Sequence, residues 1–223
     1  MRRISLIRSA GGLLVALLAV GASTEATAAE RFDADPASSR VTVEGTSTLH
    51  HWKVEGRRVE GYLSIDEPGL ASLWRPSDSS LQALSPTVRV EIPVTSLVSG
   101  KRGMDEKMQE ALKATTHPLI TYHLQSAKVI TRQAAQADDT ILAIETTGVL
   151  TVAGAERAVD LPMHVRRLSE NRLEVSGEAS LRMTEFGIVP PRAMLGTIRT
   201  GDEVRVHWTW GLVRHRIDER EDR

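Results

Sequence analysis

The sequence predicts an all-β fold, an antiparallel barrel or sandwich of about eight to ten short strands. Apolar and polar residues alternate with a period of two through most of the chain beyond residue 30, as in strands with one buried and one solvated face. Turn-forming residues separate the alternating runs, for example at 66–69 and 200–202. A single segment departs from this pattern and has helical periodicity.

Composition limits the architecture and the function. A chain of 223 residues suits one domain, or at most two small ones, with a substantial core. The sequence contains no cysteine, which excludes a disulfide scaffold, a thiolate metal site, a cysteine nucleophile and a lipidated N-terminal cysteine. The formal net charge of -1 argues against nucleic acid as the main partner, since phosphate-binding domains carry a clear basic excess.

The N-terminus has the pattern of a secretory signal. Arginines at positions 2, 3 and 8 precede an uncharged stretch at 9–24, and small residues at 26–28 have the A-x-A spacing of a cleavage site. We expect cleavage after Ala28 or Ala29. The apolar part is shorter than the roughly 20 residues of a membrane span, so we expect an exported protein without a stable membrane anchor.

The predicted organisation has three parts: a signal peptide at 1–29, a β domain at 30–213 and a highly charged tail at 214–223. Alternation is clearest at 204–212, where Trp208 and Trp210 share a face with aliphatic residues, and at 87–94. The other predicted strands are 40–44, 52–55, 63–65, 120–124, 141–144, 149–152, 158–165 and 173–183.

The segment 103–115 is predicted to be an amphipathic helix. Met104, Met108 and Leu112 recur at intervals of four on one face. Proline at 118 ends the helical pattern, because the residue before proline avoids helical geometry.

The segment 66–85 is rich in serine, proline and aspartate and is predicted to be a long loop with Leu70 and Trp74 as anchors.

Catalytic and metal-binding motifs are not found in the sequence. It contains no G-x-S-x-G, no glycine-rich phosphate loop after a strand and no H-E-x-x-H. The adjacent pair His50 and His51 would point to opposite faces of a strand, which disfavours chelation of one ion. The remaining histidines are scattered, at positions 117, 123, 164, 207 and 215. We therefore predict a non-enzymatic protein without cofactor or metal.

Inward side chains of a small barrel either fill the interior or leave room for a small ligand. Trp208 and Trp210, with Trp52 opposite, suit the wall of such a cavity, and they suit a packed sandwich core equally well. Composition leaves both readings open.

Several fragments, in this order and spacing, resemble the YceI-like family across residues 31–213. They are Gly45-Thr46-Ser47-Thr48-Leu49-His50 with Trp52, the segment 94–122 (VTSLVSGKRGMDEKMQEALKATTHPLITY), 148–154 (GVLTVAG), 184–188 (TEFGI) and 201–204 (GDEV). The resemblance implies a lipocalin-like antiparallel barrel exported to the bacterial periplasm. It also implies an elongated cavity that holds a polyisoprenoid or another long-chain amphiphile.

Alternation and resemblance together predict a set of inward-facing residues, some of which contact the ligand. They are Val88, Val90, Ile92, Ile120, Tyr122, Leu150, Val206, Trp208 and Trp210. The expected partner is a long-chain isoprenoid or other apolar lipid, and the helix is expected to close one end of the barrel or pack beside its mouth. The alternative is a ligand-free barrel or sandwich used for protein contacts in the cell envelope. An enzyme would require convergent polar groups at the cavity mouth.

Overall fold

The computed structural model describes residues 29–74, 83–136, 139–193 and 196–215. Within these ranges the chain forms thirteen strands, two α-helices and two 3-10 turns. The strands are β1 (Ala29–Ala34), β2 (Arg40–Ser47), β3 (His51–Gly56), β4 (Glu60–Asp66), β5 (Ala83–Leu84), β6 (Thr87–Pro93), β7 (Leu97–Val98), β8 (Leu119–Gln136), β9 (Asp139–Val152), β10 (Ala155–Ser169), β11 (Arg172–Arg182), β12 (Arg192–Ala193) and β13 (Ile198–Arg214). The helices are α1 (Glu67–Trp74) and α2 (Arg102–Ala111), and the 3-10 turns are Val94–Ser96 and Met183–Phe186.

Eight strands form a closed antiparallel barrel in the order β1-β4-β6-β8-β9-β10-β11-β13, and β13 pairs back with β1. The edge of β13 is shared between two partners. Its C-terminal end pairs with β1, where Ala34 lies opposite Leu212, and the segment before it pairs with β2, where Val41 lies opposite Trp208. β3 and β7 extend the sheet from β2. The predicted all-β barrel of about eight strands is confirmed.

Eight of the ten predicted strands lie wholly within observed strands, and two of these eight are one element. The other two, 87–94 and 173–183, each extend one residue beyond β6 and β11 into the 3-10 turn that follows. The runs 141–144 and 149–152 both belong to β9, which continues through Gly148. The alternation does not reveal β1, although this short strand completes the barrel. Its first described residue is Ala29, directly beside the predicted cleavage site.

The prediction of a loop across 66–85 is wrong for its first half, because residues 67–74 form α1. Proline at the second position is compatible with a helix, since the backbone N–H groups of the first turn have no intrahelical partner. Leu70 and Leu73 are buried, and Trp74 packs beside the core. The two expected anchors, Leu70 and Trp74, are therefore both packed. Residues 75–82 of this segment lie outside the described ranges.

Helix α2 is shorter than predicted and ends at Ala111 rather than at residue 115. Lys113 adopts a left-handed conformation with φ of 55°. The N–H of Lys113 donates to the carbonyl of Glu110 and that of Ala114 to the carbonyl of Gln109, which satisfies the free end of the helix. A hydrogen-bonded turn then leads to Pro118 and β8.

No helix in the described ranges is both long and apolar enough to cross a bilayer. The predicted signal peptide, up to residue 28, and tail residues 216–223 lie outside these ranges.

Candidate functional site

The barrel encloses a cavity of about 610 Å³. Its wall is built from alternate residues of the strands, because successive side chains of a strand point to opposite faces. On β9, for example, Ile144, Thr146, Leu150 and Val152 line the cavity. The lining is overwhelmingly aliphatic or aromatic. The geometry distinguishes this barrel from one whose interior is filled by its own side chains.

All nine residues that the sequence places on the inner face line this cavity. Tyr122 and Trp210 are buried at 6% and 4% exposure, whereas the other seven are partly accessible from the lumen. Trp52 also lines it, as expected. The alternation thus located the wall correctly, and the contact of these residues with a ligand stays a prediction.

Three aromatic rings of the wall lie over glycines on neighbouring strands. Each ring and its glycine are cross-strand neighbours or nearly so: Trp52 covers Gly45, Tyr122 covers Gly148 and Trp208 covers Gly177. A Cβ added at any of these glycines would overlap the ring. Glycine therefore lets each ring lie against the wall instead of projecting into the lumen. Sequence reasoning missed this arrangement, because its signal requires the strand register.

One polar pair is buried in this apolar wall. The Thr146 hydroxyl donates to the carbonyl oxygen of Leu161 at 2.8 Å, which leaves it free to accept from the Tyr122 hydroxyl at 3.2 Å. Burial raises the pKa of the Tyr122 phenol, so this group is a neutral donor across the physiological range. The pair satisfies its own hydrogen-bonding capacity within the wall.

Replacement of Thr146 by valine is expected to lower the free energy of unfolding by about 1–2 kcal/mol, because the Tyr122 hydroxyl loses its buried partner. The matched control is Thr147→Val. Thr147 is the next residue of the same strand, and its hydroxyl donates to the exposed carboxylate of Asp160 on the outer face. We expect a change within about 0.5 kcal/mol for this control. Urea denaturation of both variants measures the difference, and equal losses would contradict the internal role of Thr146.

The two ends of the cavity differ in chemistry. At the end covered by α1 the lining includes Ile65, Leu70, Leu73 and Leu173, all buried and apolar. At the opposite end, α2 contributes Met104 and Met108 together with polar neighbours. Five exposed basic residues join the lining there, His50, Lys101, Lys107, Arg182 and Arg192, and no described lining residue is acidic. We call this end the mouth, because its exposed polar residues connect the cavity to solvent.

Helix α2 lies beside the mouth, as predicted from its apolar face. Ala111 and Leu112 pack against a cluster that contains Phe186, Ile188 and Val152, and Met104 and Met108 pack against the main core. Asp105 accepts hydrogen bonds from the backbone N–H of Ser99 at 2.7 Å and from its hydroxyl at 2.6 Å. The carboxylate therefore ties the first turn of α2 to the segment that precedes it.

Two other hydrogen-bonded contacts shape the mouth. Asp202 accepts from the backbone N–H and the hydroxyl of Thr184, which fixes the 3-10 turn after β11 to the start of β13. The backbone N–H of Thr48 donates to the carbonyl of Arg199 at 3.0 Å. The fragments TEFGI, GDEV and GTSTLH are thus parts of one rim. Sequence reasoning named these fragments without locating them together.

The site offers apolar contact rather than reactive groups. Within the described ranges, no group of three or more His, Asp or Glu side chains is arranged to hold a metal ion. The basic residues of the mouth lie around its edge, whereas the interior is predominantly apolar and includes the buried Tyr122 and Thr146 pair. The arrangement suits enclosure of an apolar chain with one end near solvent.

Comparisons with known proteins agree with this architecture. Solved structures with similar folds include a polyisoprenoid-binding domain from Saccharophagus degradans implicated in plant cell wall breakdown, at a TM-score of 0.59 and 14% identity, covering 83% of this chain and 98% of that one. BcnA from Burkholderia cenocepacia is similar at a TM-score of 0.55 and 16% identity, covering 80% of this chain and 99% of that one. No curated protein sequence matches significantly. The model of the YceI-like domain matches residues 32–210, and the chain therefore belongs to the YceI-like family.

Proposed function

We propose that the protein binds a long-chain amphiphile, a polyisoprenoid or a similar lipid, in the barrel cavity. The observation that carries this proposal is the cavity of about 610 Å³ with its almost wholly apolar wall. Small-molecule sites commonly measure about 300–1,000 Å³, so this volume is in the range of a binding site rather than of a packing defect. The fold shared with the Saccharophagus degradans polyisoprenoid-binding domain supports the same ligand class.

The binding energy comes mainly from the hydrophobic effect. Each methylene group that leaves water gains about 0.8 kcal/mol, so a long chain needs little polar recognition to bind. The shape of the wall selects the ligand instead. Trp208 and Tyr122 lie against the wall over glycines, which leaves an uninterrupted path for a chain from the mouth toward α1.

The protein acts outside the cytoplasm, in the periplasm, as a carrier or store of this lipid. The signal pattern in residues 1–29 supports export. Cleavage after Ala28 would leave every described pair of β1 intact, including Ala29 opposite Asp66. Cleavage after Ala29 would remove only that terminal pair.

Protein purified from its native host is expected to carry lipid in a near-stoichiometric amount. Organic extraction followed by mass spectrometry identifies the lipid, and the intact mass of the same protein gives the cleavage site. Tryptophan fluorescence should shift on delipidation, because Trp52, Trp208 and Trp210 line the cavity. Extracts without lipid from several growth conditions would contradict the binding function and favour the alternative of a ligand-free module for protein contacts.

A further inference from the structure

The mouth carries exposed apolar side chains that no contact within the barrel explains. Leu49 and Val189 are 69% and 77% exposed, the two highest values among the exposed large hydrophobic residues. Leu49 directly precedes His50, and Val189 directly follows Ile188, both of which line the cavity. Single exposed hydrophobic residues are common on protein surfaces, so their shared position at the mouth is the informative feature.

The backbone connects these two residues through one strand. Thr48, next to Leu49, donates its N–H to the carbonyl of Arg199, and the N–H of Thr200 donates to the carbonyl of Pro191 at 3.1 Å. The turn that holds Leu49 and the segment that holds Val189 therefore flank the start of β13. Both side chains belong to one continuous part of the rim.

Basic residues without an ion-pair partner line the same mouth. In the described part of the chain, Lys101, Lys107 and Arg192 have no carboxylate partner within ion-pair distance. Arg192 lies directly opposite Arg199 in the β12–β13 pair. Like charges in such positions repel each other, and an anion placed near both would relieve that repulsion. Arg182 differs, because Asp202 lies nearby and Glu203 lies opposite it.

We propose that this rim docks on the surface of an anionic lipid bilayer, with the mouth facing the membrane. Leu49 and Val189 enter the headgroup region, while Arg192, Arg199, Lys101 and Lys107 contact lipid phosphates. Apolar side chains flanked by basic ones are typical of interfacial binding, where hydrophobic burial and attraction to anionic lipid add together. Docking in this orientation lets an apolar ligand pass between the bilayer and the cavity without crossing water. The docking surface goes beyond the proposed lipid-binding function and does not depend on which lipid fills the cavity.

Vesicle co-sedimentation tests the docking surface. The purified protein should bind vesicles of phosphatidylcholine that contain phosphatidylglycerol, and bind vesicles of phosphatidylcholine much less. Added salt should weaken binding, because it screens the charges of the exposed rim. The double variant Leu49→Ser, Val189→Ser is expected to lower the partition coefficient about tenfold, since both apolar side chains are lost from the interface.

The matched control is Leu168→Ser, Val213→Ser. These residues are 47% and 37% exposed and lie near the α1 end, where β10, β11 and β13 meet. All variants carry the same N-terminus, so residues 1–28 contribute equally if they are retained. Arg192→Gln, Arg199→Gln should reduce the preference for phosphatidylglycerol, and Lys101 and Lys107 should account for what is left of it. Equal losses in the two serine variants, or no preference for anionic vesicles in the parent protein, would overturn the docking proposal. The lipid content of each purified variant is measured separately and reports on the cavity.

Discussion

Truncation of Leu142 to alanine is expected to lower the free energy of unfolding of the ligand-free protein by about 3–5 kcal/mol. Leu142 lies on the inner face of β9 and is 0% exposed. It is absent from the cavity lining and belongs to the main buried cluster, together with its cross-strand neighbour Val165. Removal of its branched end would leave a void in a close-packed region, and such voids relax only partly.

The matched substitution is Leu150→Ala on the same strand and the same inner face. Leu150 lines the cavity and is partly accessible from the lumen. Since one side of this leucine already lacks packing partners, we expect a smaller loss, about 2 kcal/mol or less. Urea denaturation should be performed on delipidated protein, because a bound ligand stabilises the folded state by mass action.

The comparison of Leu142 with Leu150 tests the hollow interior directly. Equal losses at the two positions would mean that the lumen near Leu150 is filled in the ligand-free protein. Such a result would support a packed barrel and weaken the lipid-binding proposal. A large loss at Leu142 with a small loss at Leu150 would support a barrel that is closely packed around Leu142 and hollow beside Leu150.

These two leucines also show what alternation can and cannot predict. Both stand at even positions of β9, eight residues apart, and a period of two correctly places them on one face. Whether each one meets a packed neighbour or an open lumen depends on strands distant in sequence. The residues of the cavity wall could therefore be predicted from the sequence, whereas the existence of the cavity that they enclose could not. The choice between a cavity and a packed core needed the barrel geometry.

The spacing of apolar residues gave wrong helix predictions where a helix is short or where its end is set by backbone conformation. Helix α1 has eight residues and begins with Glu67-Pro68-Gly69, which are turn-forming residues. Its helical signal is the spacing of Leu70, Leu73 and Trp74 at intervals of three and four, too brief to outweigh the preceding turn residues. In α2 the prediction followed the apolar spacing as far as Leu112 and continued to 115. The left-handed conformation of Lys113 ended the helix instead.

The contacts that form the mouth could not be predicted from the sequence, because they join residues that are far apart along the chain. Arg199 donates its backbone N–H to the Thr48 hydroxyl, and these residues are 151 positions apart. Asp202 and Thr184 meet only because β11 pairs with β13. The resemblance to the YceI-like family identified the fragments that contain these residues, but it did not explain what these fragments do in the fold. The structure supplies the reason, since the hydrogen bonds of these fragments hold the rim together.

A tryptophan placed at Ala179 is expected to block the cavity and lower the bound lipid about tenfold or more. Ala179 lines the lumen on β11, opposite Val206 and between Gly177 and Leu181. An indole at this position projects into the lumen, where it excludes part of the lipid chain. Overpacking typically costs about 1–3 kcal/mol, and 1.4 kcal/mol corresponds to a tenfold change in affinity.

The control is Ser180→Trp, which places the same side chain one residue further along β11. Ser180 is exposed and faces outward, opposite Arg205, because strand residues alternate between the two faces. We expect this variant to retain the lipid content of the parent protein when both are purified from the same host and extracted for mass spectrometry. Circular dichroism and urea denaturation identify a variant that fails to fold. Equal lipid content in folded Ala179→Trp and Ser180→Trp proteins would show that the lipid lies outside the barrel, and the interior could then no longer be regarded as the binding site.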